Sequence, residues 1–401
     1  MLKQKMALIV AAFMLALGVP AAALWAQAPA PIKIGNTAPY SGPASGISAV
    51  YRALAAYFHM VNDHGGVSGR KIEFISYDDG YSPPRTVAMT RRLVEQDHVL
   101  FVAASLGTPT NTAVWKYLND RHVPQLFIIS GDPKWDDPKG HPWTMAWIPT
   151  YQMEGEVFAR YILEKVPNAK VGVLYQNDDY GRACLVGLKR GLGKQAAKLI
   201  VMEQSYETTE PTVESQIVNL HNSGANVLFD VTVTKYTAQA IRKAYELDWH
   251  PIHLLPSIGS SIGTVLKPAG LKASTGLITT QFVKDPDDPH WRNDPGYKNW
   301  LAFMRKYDPA GDVHDQYNVW GYSVGQTIVH VLGRCGNDLT PANVMRQAER
   351  INHLRLPMLL PGVTLNTSPH DFHLIKQLRL ARFDGERWVQ FGKLYTAGSS
   401  R

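Results

Sequence analysis

Cysteine is nearly absent from this chain of 401 residues, which has two, Cys184 and Cys335. They lie far apart, each in a stretch of helical periodicity, and are expected as free, buried thiols, although an oxidising compartment would permit pairing. Metal motifs such as CxxC pairs or HExxH are missing. His370 and His373 in "HDFH" have metal-like spacing, but they read as part of a solvated loop, so neither a metal nor a cofactor is expected. No basic block occurs: 41 Lys and Arg stand against 34 Asp and Glu, for a net +7 to which Lys3 and Lys5 contribute two charges. The excess is spread along the chain, which argues against a nucleic-acid surface. No apolar run after residue 30 approaches the 18 residues of a membrane span. No G-x-G-x-x-G follows any predicted strand, which removes the dinucleotide fingerprint.

What is present begins with "MLKQKMALIVAAFMLALGVPAAALWAQAPA": two lysines, an apolar run over residues 6–19, then small residues. That is the layout of a secretory signal peptide, expected over residues 1–28 with the cut at 26–28. The run is shorter than the ~20 residues a spanning anchor needs. No cysteine lies near the cut, so a lipoprotein is not expected. A mature protein of roughly 370 residues can form two domains of ordinary size.

From Ile32 onward, short apolar runs alternate with amphipathic stretches. "IKIGNTA", "KIEFISYDD", "HVLFVAAS" and "VPQLFIIS" read as strands, with helices near 48–62, 82–96 and 109–121. In the second of these, Ser82 is the expected N-cap and Pro83 the first helical residue. A second series has strands "AKVGVLYQ", "LIVMEQSY", "NVLFDVTV" and "IHLLPS", separated by helices near 152–165, 180–194, 211–223 and 235–247. Several strands are apolar on both faces, as in a parallel sheet covered by helices. The repetition predicts doubly wound α/β domains, in which ligands gather beyond the carboxyl ends of strands. Six loops at those ends read "APYSGPASG", "SLGTPT", "SGDPKW", "QNDDYG", "TVTKYT" and "PSIGSSIG". They share glycines, small hydroxyl residues and tyrosines, and none contains histidine. Such residues fill any loop; their recurrence at one end of successive strands points to a ligand cleft.

Through these and adjoining motifs the sequence resembles the periplasmic solute-binding proteins of branched-chain amino-acid-type ABC importers. The carriers are "IKIGNTAPYSGPASG", "VNDHGGVSGRKIEFISYDDGYSP", "VPQLFIISG", "VGVLYQNDDYG" and "LKPAGL". The resemblance implies a type I periplasmic binding protein fold: α/β, with two doubly wound, Rossmann-like lobes and a hinge of three crossovers. It places lobe one at 31–149 plus 284–374 and lobe two at 150–283 plus 375–395, with crossovers near 149–152, 279–282 and 374–378. It implies ligand contacts from Tyr40 and Ile47; from Leu106, Gly107 and Thr108, where a hydroxyl loop holds a carboxylate; from Gly131 and Asp132; from Tyr180, Thr232 and Thr234; and from Tyr317. Ser257 stands where amino-acid binders of this family place an acid against the ligand ammonium. Asp132 is either a relocated partner for that ammonium or the turn residue before Pro133. The cysteine pair often found in the family's first lobe is missing, with Gly80 and Leu106 in those neighbourhoods.

An enzyme reading rests on "GSSIG", which matches G-x-S-x-G with Ser261 central. That motif needs a sharp strand-to-helix elbow and a histidine base. Here the strand ends early and no histidine falls in the neighbouring loops, so no enzyme is expected. The expected role is a periplasmic receptor, monomeric, that passes a small solute to an inner-membrane ABC permease. Without an acid at Ser257, and with Tyr40, Tyr180, Tyr236 and Tyr317 in or beside the loops, an organic acid with an apolar or aromatic body suits the cleft. A branched-chain or other hydrophobic amino acid, and a role presenting ligand to a membrane sensor, are the alternatives.

Overall fold

Twelve strands in two separate sheets organise residues 29–397, the residues described in this computed structural model. The expected signal peptide lies outside the described residues. The first sheet contains β1 (Ile32–Ala38), β2 (Ile72–Asp78), β3 (Phe101–Ala103), β4 (Gln125–Ile128) and β5 (Thr144–Ala146). Its spatial order is β2-β1-β3-β4-β5, with every neighbouring pair parallel. The second contains β6 (Val171–Gln176), β7 (Ile200–Tyr206), β8 (Val227–Val231), β9 (Ile252–Leu255) and β10 (Ile278–Gln281), with β11 (Gln377–Phe383) and β12 (Trp388–Thr396) added at one edge. Its parallel part, β7-β6-β8-β9-β10, repeats the order of the first sheet, and β11 and β12 join it antiparallel. In each sheet the order reverses once, between β1 and β3 and between β6 and β8.

Central strands are buried on both faces: all five residues of β8 are buried, as its run of apolar residues predicts. The edge strand β7 instead alternates in burial, because one of its faces meets solvent. Between β10 and β11 the chain adds no strand but three helices, Pro295–Tyr307, Gln316–Cys335 and Pro341–Ala348. These return to the first sheet. Tyr57 on the helix Ala49–Asp63 meets Tyr322 and Phe303 edge-on, with ring centroids 5.2 and 6.0 Å apart. The Trp147 indole N–H, just beyond β5, donates to Thr327 Oγ1 at 3.1 Å. Pro83 opens its helix as expected, but the Ser82 side chain caps nothing; it is Thr86 that donates to the Ser82 carbonyl. Cys184 and Cys335 are both buried and unpaired. His370 is exposed, but His373 departs from the solvated-loop expectation: its Nδ1 is 3.1 Å from Asp136 Oδ2, with Asp371 beside it and the Lys376 ammonium paired to Asp371. No helix among the described residues is long and apolar enough to cross a membrane.

Candidate functional site

The two order reversals face each other, and a narrow pocket with only about 10 Å³ of free space lies between them. Crevices at such reversals are where open α/β sheets hold ligands. From the first sheet's side the wall is Ile47, Tyr81, Leu106, Gly107 and Ile129; from the second's it is Tyr151, Tyr180, Val233 and Ile258. None of the nine carries a charge.

Local structure explains how the wall is built. Gly107 has φ 95°, and a Cβ there would stand 2.4 Å from the Tyr81 ring, so only glycine lets ring and loop approach. The helix Thr108–Asp120 starts immediately after it; Pro109 has no N–H and the Asn111 N–H bonds the Gly107 carbonyl, which leaves the N–H groups of Thr108 and Thr110 as the first-turn donors beside the pocket. Tyr81 has φ 60°, an unusual value for a bulky residue, and its N–H donates to Asp79 Oδ1 at 2.9 Å. Its hydroxyl accepts from Gln176 Nε2 at 3.3 Å, a bond that crosses from one half of the molecule to the other. The Tyr151 and Tyr180 rings meet at 4.8 Å and 63°. Burial pushes the phenols of Tyr81, Tyr151 and Tyr180 well above their ordinary value, so all three stay neutral donors.

Of the residues singled out from the sequence, Ile47, Leu106, Gly107 and Tyr180 line the pocket. The others stand around it. Tyr40 is 38% exposed and its hydroxyl pairs with Ser76. Gly131 lies against the chain that follows β5, where a Cβ would come 2.3 Å from the Pro149 carbonyl. Asp132 caps the turn Pro133–Trp135, accepting from the Lys134 N–H at 3.0 Å. Thr108 is fully buried with its hydroxyl 2.7 Å from Ser130 Oγ. Thr232 turns inward, donating to Asp230 Oδ1 at 2.6 Å. Thr234 donates to the Pro43 carbonyl at 2.9 Å, across to the loop after β1. Tyr236 donates to the Thr208 and Glu210 carbonyls at 2.7 Å, away from the lining. Tyr317 donates to the Ile258 carbonyl. Tyr81, Ile129, Tyr151, Val233 and Ile258 were missed. Tyr81 sits in "DDGYSP", a strand-end loop like the other six, and its position after β2 was the available signal.

Ser257 does lack a negative charge, but an acid stands next to it. Glu154, on the helix Tyr151–Lys165, accepts from the Ser257 N–H, the Ser257 hydroxyl and the Thr280 hydroxyl, each at 2.8 Å. Burial pushes this carboxyl up to about 7. Two further buried acids sit where the halves meet. Asp315 accepts from the Ser261 hydroxyl at 2.8 Å and from the Tyr317 N–H, and burial raises it to about 6. Asp285 accepts from the Trp388 N–H at 2.9 Å and is raised by burial to about 7. Toward the other rim, Lys134 bridges Asp179 at 2.6 Å and Asp132 at 3.8 Å. Its bond holds the Asp179 carboxyl below the usual range.

Two sheets with a repeated strand order, a small uncharged pocket between them and hydrogen bonds across the gap define a two-lobed small-solute receptor. The chain belongs to the periplasmic binding protein family, whose model matches residues 31–387. It is 25% identical over 276 residues to the leucine-, isoleucine-, valine-, threonine- and alanine-binding protein of Pseudomonas aeruginosa, covering 68% of this chain and 72% of that one. The fold matches a branched-chain amino acid ABC transporter structure from Thermus thermophilus with bound valine, at TM-score 0.81, 18% identity and 92% and 97% coverage of the two chains. It also matches a solute-binding protein of an R. palustris ABC transporter in complex with benzoate, at TM-score 0.77, 17% identity and 91% and 96% coverage. The fold is therefore the type I periplasmic binding protein fold, and the protein is a periplasmic binding protein by family.

Proposed function

We propose that the protein captures a small organic acid with an apolar or aromatic body between its lobes and presents it, chemically unchanged, to an ABC permease. Lobe one is residues 31–149 with 284–374 and lobe two 150–283 with 375–395, reached after export by a cleaved signal peptide over 1–28. The carrying observation is the uncharged wall. A solute ammonium buried there without a carboxylate would cost several kcal/mol. A solute carboxylate instead meets the first turn of the helix Thr108–Asp120. Thr108 backs that turn from behind the wall, with its hydroxyl 2.7 Å from Ser130 Oγ, which also accepts the Trp135 indole N–H at 2.8 Å. Catalysis has no support at Ser261, whose hydroxyl donates directly to Asp315 with no histidine bonded to it among the described residues.

A second reading, a branched-chain amino acid, is favoured by the Pseudomonas aeruginosa relative and by Asp132, a buried carboxylate just behind Gly131. Calorimetric titration decides between them, with leucine, isoleucine, valine and phenylalanine beside benzoate and phenylpropanoid acids. The proposal expects the acids to bind and the amino acids not to. Sub-micromolar binding of a branched-chain amino acid, abolished in Asp132→Asn, would overturn it. Recovery of a chemically altered solute would overturn the receptor role.

A further inference from the structure

The Tyr81 hydroxyl has a hydrogen to give and nothing described to give it to. Its oxygen accepts from Gln176 Nε2, and the direction of that bond is fixed by the rest of the network. Tyr206 accepts the Val233 N–H at 3.2 Å, so its own hydrogen goes to Gln176 Oε1 at 3.0 Å. The Asp178 carboxylate takes a hydrogen from Gln176 Nε2. Gln176 therefore presents its NH₂ group to Tyr81, and the Tyr81 hydrogen must point elsewhere. Among the described residues no acceptor takes it, and Tyr81 is 6% exposed at the pocket wall.

The ring is also held more firmly than packing requires. Its left-handed backbone is pinned by Asp79, which accepts both the Tyr81 N–H and the Thr86 hydroxyl at 2.9 Å. Gly107 leaves room for the ring where any side chain would strike it. Backbone strain kept by such over-determination is characteristic of ligand-gripping residues. Nearby, the fully buried Tyr51 hydroxyl is without a partner among the described residues, close enough to the Asp79 carboxylate to feel its charge.

We propose that Tyr81 is the residue that reads the solute's polar end: its phenolic hydrogen goes to an acceptor atom of the solute, while Gln176 on the opposite lobe holds the phenol oxygen and aims it when the cleft is closed. The solute class follows. It carries a carboxylate or carbonyl oxygen toward Tyr81, because the phenolic hydrogen needs an acceptor and the Asp178 carboxylate beside Gln176 is already engaged by Gln176 Nε2 and by the Tyr180 and Gly181 N–H groups. This inference rests on the reading that the solute occupies this pocket.

The test titrates benzoate, phenylacetate, isovalerate, leucine and valine into the wild type, Tyr81→Phe, Gln176→Leu and the double variant. Tyr81→Phe keeps the ring, so its ligand-free melting temperature should match the wild type. Its affinity for any probe that binds the wild type should fall about tenfold or more, and should fall again in the Gln176→Leu background. Unchanged affinity in Tyr81→Phe, with Thr108→Val weakened, overturns the role of Tyr81 and leaves the pocket reading standing. An effect that vanishes in the Gln176→Leu background overturns it too, since Tyr81 would then act only as a link between lobes. If no probe binds the wild type, the pocket reading falls and this inference with it.

Discussion

The residues lining the pocket carry no charge, whereas the interior around it buries three carboxyl groups, Asp285 and Asp315 where the halves meet and Glu154 among residues of the second half. Both regions exclude water, but they treat polar atoms in opposite ways. In that interior each acid finds its donors within the protein: hydroxyls of Ser257, Thr280 and Ser261, and N–H groups of Ser257, Tyr317 and Trp388. At the pocket wall donors are left over, at Tyr81 and at the start of the helix after Gly107. A protein that must close on a solute needs this division. Contacts between the halves that are completed without the solute set a baseline for closure, and unfilled donors let the solute add to it by differential affinity.

Breaking the pocket side has the largest expected effect. Gly107→Ala puts a methyl 2.4 Å from the Tyr81 ring and 2.8 Å from Thr110 Oγ1, at a backbone angle alanine disfavours. Binding of any probe that the wild type holds should fall about 100-fold, roughly 3 kcal/mol, while circular dichroism stays native. Retained binding would detach Gly107 from the site.

The buried acids are probed by pH. Glu154 and Asp285 hold protons up to about 7 and Asp315 up to about 6 in the folded chain. In the unfolded chain they lose them near 4. The folded state thus binds more protons between about pH 4 and 7, and stability falls as pH rises through that window. His330 and His373, which burial holds below the usual imidazole value, act in the opposite sense below about pH 6.5. Glu154→Gln isolates the acid's share. The amide is neutral at every pH, so the variant should match the wild type at pH 5 and exceed it at pH 8, by on the order of 3 kcal/mol. Chemical denaturation at the two pH values measures this; a variant less stable at both would show that the carboxylate is matched by its donors.

Thr108→Val sharpens the comparison more gently. It removes a hydroxyl shared with Ser130 at nearly constant shape, and solute affinity should fall by about 1–3 kcal/mol in calorimetry. Tyr40→Phe marks the lower end. Its hydroxyl bonds Ser76 on the exposed rim, so solute affinity should change by less than about 0.5 kcal/mol.

By itself the sequence determined the alternation of strands and helices, because apolar runs of strand length and amphipathic stretches of helix length follow from burial on one or both faces. It also determined that ligand-facing loops lie at strand ends, and the family resemblance of those loops made four lining residues, Ile47, Leu106, Gly107 and Tyr180, legible. Only the tertiary structure decided where each hydroxyl points. Thr232 and Thr234 occupy a strand-end loop as expected, yet one bonds Asp230 and the other the Pro43 carbonyl, partners fixed by packing between distant segments. Glu154 was invisible for the same reason: it lies 103 residues from Ser257 in the chain and meets it only because the helix after β5 packs beneath the loop after β9. Tyr81 carried a loop signal, but its importance depends on a left-handed backbone and on Gln176 from the other sheet. Periodicity is a local property and survives in the sequence; the direction of a hydrogen bond depends on which groups folding brings within reach.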